Sequence, residues 1–167
     1  MKIKKHITAL ATAAALSATL PAVAQQSQHM APETMLSLAR VGASALSPDG
    51  KMVVYSVGFP SIKDNKIRTE LFTISSDGSA RRQITQGVAG VHGARWIQQG
   101  RRISYISSES GAPQVWTMAP DGTDRRQVTN IEGGLSDYLF SPDEKQLAYI
   151  KEISFGKSTK EIYPDLP

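Results

Sequence analysis

The sequence predicts an all-β fold, an incomplete β-propeller of two full four-stranded blades plus part of a third, preceded by a short helix. Three observations carry that prediction. The string "LSPDGKMVVY" at residues 46–55 returns as "FSPDEKQLAY" at 140–149. The string "LFTISSDGSARRQIT" at 71–85 returns 44 residues later as "VWTMAPDGTDRRQVT" at 115–129. Each unit reads as four short strands joined by turns rich in aspartate and glycine. A unit of that length and content is a propeller blade. A β-sandwich is the general alternative for a chain of short strands, but it has no cause to repeat in sequence.

Residues 1–24 read as a secretory signal peptide. Lys2, Lys4 and Lys5 open it, Ile7 to Leu20 is weakly apolar, and "AVA" at 22–24 supplies a small-x-small cleavage pattern. The 14-residue apolar run falls short of the ~20 residues that span a bilayer, which weighs against a permanent anchor. The expected product starts at Gln25, is periplasmic and has 143 residues, enough for one domain with a core. No cysteine occurs, so there is neither a thiol for a lipid nor a disulfide framework.

Losing the leader removes three lysines. Sixteen cationic side chains then face fifteen acidic ones, so the formal charge falls from +4 to +1. Arg81-Arg82, Arg101-Arg102 and Arg125-Arg126 remain beside turns, interspersed with acids. Solvated turn edges explain them. Nucleic acid is not an expected partner, nor is a membrane once the leader is gone.

Residues 25–42 read as a tail and a short helix. Pro32 and Glu33 suit a first turn, Met35, Leu36 and Ala39 have helical spacing, and Gly42 is the expected stop. The helix is expected to pack against the blades. Residues 43–167 form the partial propeller, with blades at about 43–87, 88–131 and 132–167.

In "MVVYSV", Val53, Tyr55 and Val57 point one way and Met52 and Val54 the other. Two apolar faces mark a strand covered on both sides. "LFTIS" and "VWTMA" alternate, with Phe72 and Ile74 matching Trp116 and Met118. "RQIT" and "RQVT" are short and polar, as outer edges are. In "SPDGK", "SSDGS" and "APDGT" aspartate accepts turn hydrogen bonds and glycine supplies the positive φ. Glu144 replaces that glycine in "SPDEK". The first unit holds six extra residues, within "GFPSIKDNKIRT", read as a loop. "KEIYPDLP" at 160–167 reads as a proline-rich connector.

Propeller rings hold typically four to eight blades, so two and a part leave a terminal sheet with an apolar face and no neighbour. The expected resolution is a longer polypeptide of which this is the N-terminal part. A ring of identical short chains is the other.

The residues offer no catalytic, cofactor or metal site. Past the leader the histidines are His29 and His92, and no Gly-x-Ser-x-Gly string occurs. "GLSDY" around Ser136 lacks the second glycine. "DGTD" at 121–124 lacks the ligand series of a calcium loop, and a hairpin turn explains it. Trp96 and Trp116 sit in core registers. His92 reads as a loop or pore-lining residue.

"PETMLSLARVG" followed by "SALSPDGKMVVYSV", "ELFTISSDG" and "RRQIT" resembles the mature N-terminus of exported bacterial peptidases of the prolyl oligopeptidase family. The branch it resembles is the dipeptidyl-peptidase and acylaminoacyl-peptidase one, and "IYPDLP" fits a segment after an early blade there. The likeness covers nearly all of residues 31–167. TolB-type propellers share "SPDG", so a TolB-like binding propeller with no enzymatic activity stays open as the alternative. The peptidase resemblance implies a propeller capping an α/β-hydrolase domain that lies beyond Pro167, with peptide substrates filtered by the cap. It transfers no catalytic residue to this chain. Some relatives hold a substrate's amino terminus with glutamates, but Glu70, Glu109 and Glu132 match no such motif.

Overall fold

The computed structural model describes residues 31–153 and Gly156. The expected leader, His29 and the connector at 160–167 lie outside the described residues.

Helix α1 spans Pro32–Ser37 and ends with Ser37 Oγ donating to the Thr34 carbonyl at 2.9 Å. Leu38 is already extended, with φ −66 and ψ 130, so the helix stops well before Gly42. Gly42 lies instead within strand β1, Arg40–Leu46, where a Cβ would stand 2.5 Å from Ser56 Oγ. Gly42 therefore belongs to the strand and not to a helix stop. No residue of α1 is buried; Leu36 reaches only the flank of the next hairpin.

Among the described residues, ten strands make three antiparallel sheets. Sheet 1 runs in the order β1-β2-β3-β4, with β2 at Met52–Ser61, β3 at Lys66–Ser75 and β4 at Arg82–Gln83. Sheet 2 repeats the order with β5 at His92–Ile97, β6 at Arg102–Ser107, β7 at Gln114–Met118 and β8 at Arg126–Gln127. Sheet 3 has two strands, β9 at Asp137–Phe140 and β10 at Leu147–Ile150. This is the expected architecture of two full blades, part of a third and a leading helix.

The registers confirm the repeat strand by strand. Tyr55 faces Phe72 across β2 and β3, and Tyr105 faces Trp116 across β6 and β7. Leu46 faces Val53, Trp96 faces Ile103, and Phe140 faces Leu147. Directly opposed residues share a face, so each sheet has a front bearing these residues and a back bearing the alternates. Front of one packs on back of the one before.

Between sheets 1 and 2 the core holds Val54 and Leu71 from the back of sheet 1. They meet Ile103, Tyr105 and Met118 from the front of sheet 2, with Ile84, Val88 and Val91 from the connections. Between sheets 2 and 3 it holds Ile106, Val115, Leu135 and Tyr138.

The six extra residues of the first unit are not a loop. They lengthen β2 and β3 to 10 residues each, fully paired out to Ser61 and Lys66. The result is an arm reaching roughly 13 Å past the sheet, at ~3.3 Å per residue over four residues. Phe59 stabilises it, with its ring 6.4 Å from that of Phe72 and the Arg68 guanidinium 5.2 Å from its own centroid.

The turn that begins the first and third units is the same object twice. Ser47 Oγ donates to Asp49 Oδ1 at 2.6 Å and accepts from Met52 N at 2.9 Å. Ser141 Oγ donates to Asp143 Oδ1 at 2.6 Å and accepts from Gln146 N at 3.0 Å. Gly50 takes φ 71 and Glu144 takes φ 56 in its place. Glu144 is held in that costly conformation by its carboxylate, which accepts from Gln98 N on sheet 2 at 2.6 Å.

Candidate functional site

Two kinds of polar structure occur, clasps inside the sheets and contacts between them. Glu70 on β3 is fully buried, yet its carboxylate accepts from Arg68 Nη1, from Thr85 Oγ1 at 2.7 Å and from Gly87 N at 2.8 Å. Thr85 Oγ1 also accepts from Leu71 N at 2.8 Å. Forty-four residues on, Gln114 Oε1 accepts from Thr129 Oγ1 at 2.8 Å and from Ile131 N at 2.9 Å, while Thr129 Oγ1 accepts from Val115 N. Both clasps tie the chain leaving the outer strand back to the third strand. A buried carboxylate with its acceptor sites filled is a structural group. Glu70 is therefore not open to a substrate amine, and Glu109 and Glu132 are exposed on separate connections. Sequence reading missed the clasp, although the 44-residue offset of Glu70 and Gln114, and of Thr85 and Thr129, was its signal.

The sheets also grip one another. Trp96 Nε1 donates to the Ala45 carbonyl at 2.9 Å, and Arg125 Nη2 donates to the Ile84 carbonyl at 3.1 Å. Tyr138 brings its hydroxyl 3.0 Å from the Gly93 carbonyl and 2.8 Å from Ser104 Oγ. Burial pushes the Tyr138 hydroxyl up to about 12, with the Ser104 contact opposing. Burial likewise pushes Tyr105 up to about 12. Both stay protonated at any physiological pH and serve as wall, not as acids.

The other singled-out residues stand apart. Ser136 donates through Oγ to the Ile150 carbonyl at 3.3 Å. His92 opens β5, exposed, its Nδ1 2.9 Å from the Gly90 carbonyl. Among the described residues no carboxylate joins the two into a nucleophile, base and orienter. Asp121 accepts from Thr123 Oγ1 and N, which holds its carboxyl below the usual range. Asp124 is likewise held below the usual range by hydrogen bonds from Arg102 and Arg126. Trp96 and Trp116 pack against the first core, in the expected registers. Of the arginine pairs, Arg81 lies over its own Phe72 ring at 5.1 Å.

What remains uncovered is the two ends of the stack. On the front of sheet 1, Val41 is 72% and Leu46 60% exposed, though their counterparts Val91 and Trp96 are packed in the core. On the back of sheet 3, Leu139 is 60% and Ile150 62% exposed, whereas Ile106, the counterpart of Ile150, is buried. Apolar side chains are exposed at both ends, although Val57 and Phe72 on that same front of sheet 1 are buried. The described sheets are a segment of a propeller.

Comparison with known proteins carries the class to particular relatives. No family model matches the chain. Over 139 residues, 83% of its length, the chain is 55% identical to the dipeptidyl-peptidase 5 of Porphyromonas gingivalis, spanning 20% of that protein. Over 141 residues, 84% of its length, it is 44% identical to that of Porphyromonas endodontalis, again spanning 20%. The chain thus spans about a fifth of the length of the curated relatives it matches.

Among solved structures, the acylaminoacyl peptidase of Pyrococcus horikoshii matches with a TM-score of 0.56 at 12% identity, over 75% of this chain and 20% of that one. TolB of Acinetobacter baumannii matches with a TM-score of 0.56 at 20% identity, over 69% and 27%. At such identities these two show the fold. The chain is a propeller-fold segment that is similar in sequence to dipeptidyl-peptidase 5 over about a fifth of that protein's length and shares its fold with the acylaminoacyl peptidase and TolB propellers.

Proposed function

We propose that this chain is the N-terminal propeller part of an exported serine peptidase, and that it walls a chamber and filters short peptides. In this reading residues 1–24 are a leader cleaved on the way to the periplasm, and 43–167 are the partial propeller. The α/β-hydrolase domain that cuts the peptides is encoded beyond Pro167. The carrying observation is the pair of open apolar faces at the ends of the sheet stack, a geometry that calls for further sheets. Support comes also from the 55% identity to a dipeptidyl-peptidase, well above the 20% to TolB, which favours the peptidase over a propeller that only binds.

The test is turnover of a dipeptidyl chromogenic substrate by residues 25–167 and by the polypeptide read past Pro167. The short chain is expected to be inactive and the longer one active. Turnover by the short chain at the rate of a whole peptidase overturns the proposal.

A further inference from the structure

The arm is the feature of sheet 1 that sheet 2 lacks. In sheet 2 the pairing of the second and third strands stops at Ser107 and Gln114, whereas β2 and β3 stay paired out to Ser61 and Lys66. Pairing sorts the side chains of the arm onto two faces. Phe59, Ser61, Lys66 and Arg68 stand on the front, and Gly58, Pro60, Ile67 and Thr69 on the back.

Leu36 of α1 and the arm residues Pro60, Ile62 and Ile67 line a groove of about 320 Å³. That is the small end of ligand clefts, roughly 300–1,000 Å³. A Cβ on Gly58 would stand 3.1 Å from Ile67 Cγ2, so glycine there leaves room for Ile67 to lean across the arm. Leu36, Ile62 and Ile67 are each more than half exposed. Three branched apolar side chains thus meet solvent in one groove.

The charge in the groove has one sign. Arg40 and Lys66 line it, and no carboxylate among the described residues does. Neither cation enters an ion pair among the described residues. Asp64, the acid of the arm's tip, accepts from Ser61 Oγ at 2.7 Å and lines a different groove, with Phe59 and Arg68. Backbone groups are on offer as well. Strand β1 pairs with β2 only as far as Arg40 opposite Gly58, so the outer edge of β2 beyond that point is open beside the groove.

We infer that this groove binds the carboxyl terminus of a short peptide whose last side chain is branched and apolar. Leu36, Ile62 and Ile67 receive the side chain, and Arg40 and Lys66 take the carboxylate, the planar guanidinium matching its two oxygens. The cations select an anion, and the apolar walls discriminate against a small inorganic one. The open strand edge favours a peptide over a fatty acid, because only a peptide has amides to pair with it. The inference goes beyond the proposed function: binding here needs no catalytic domain, and it stands if the peptidase reading falls.

The chain has no cysteine, so Lys63→Cys introduces the sole thiol, exposed at the tip and outside the groove's lining. An environment-sensitive dye on that thiol is titrated with acetyl-Ala-Leu and with its carboxyl-terminal amide through the millimolar range. The acid is expected to saturate the signal, and the amide to bind about tenfold more weakly for want of two exposed ion pairs. Arg40→Gln or Lys66→Gln is expected to weaken the acid about threefold, the share of one such pair, and to leave the amide unchanged. Ile67→Ser is expected to weaken both. Equal binding of acid and amide, no saturable response to the acid, or octanoate competing as well as the peptide overturns the inference. So does the same dye change on adding unlabelled chain, which gives the groove to a second copy.

Discussion

Thr85 and Thr129 hold one register and each accepts from a backbone N–H of the third strand, but Thr85 donates to the Glu70 carboxylate and Thr129 to the Gln114 side-chain amide oxygen. That difference sets their worth. Thr85→Val withdraws a donor from the fully buried Glu70 carboxylate, a charge-assisted bond worth about 1.5–3 kcal/mol. Thr129→Val withdraws one from neutral Gln114, worth about 0.5–1.5 kcal/mol. Urea denaturation of residues 25–167 is expected to show the larger loss at Thr85, and equal losses would refute the charged clasp. Neither role was legible beforehand. The strings "RQIT" and "RQVT" announce a polar edge, and they do form exposed two-residue strands at Arg82–Gln83 and Arg126–Gln127. The threonine two residues beyond turns inward because the third strand offers it an acceptor, information held 15 residues away.

At the level of the element, equivalent positions differ only in whether a sheet covers them. Ile84 and Val128 both follow the outer strand, yet Ile84 is in the core and Val128 is 47% exposed. Ile84→Ala is expected to cost about 2–4 kcal/mol in the same denaturation series, and Val128→Ala about 0.5 kcal/mol or less. Comparable costs would mean that something already covers Val128. The repeat made the strands, their order and their turns readable, because alternation and Asp-Gly turns are local signals. The arm was not readable in the same way. "GFPSIKDNKIRT" carries Gly58, Pro60, Asp64 and Asn65, which read as loop. Its pairing comes from cross-strand contacts, Phe59 with Arg68 and Pro60 with Ile67. Pro60 is tolerated beside the free outer side of that strand extension. The helix was misjudged in the opposite sense. Gly42 reads as a stop, but the helix ends at Ser37 and Gly42 falls in β1, where the pairing with β2 shifts register between Val41 and Ser44.

For the whole molecule, the stack of sheets has two unfinished ends and one grammar for joining. Front seats on back through a glycine turn, an aromatic or branched side chain, and polar grips that include Arg125 on Ile84 and Glu144 on Gln98. Cores built this way lie between sheets, so a terminal sheet contributes half a core and leaves it wet. Homology to a dipeptidyl-peptidase over a fifth of its length fits such a section. The direct measurement is uptake of an apolar dye by purified residues 25–167, read beside their sedimentation. Strong dye fluorescence, with association that grows as concentration rises, is the expected result. A species that stays monomeric, melts in a single cooperative step and leaves the dye dark contradicts the open-ended stack.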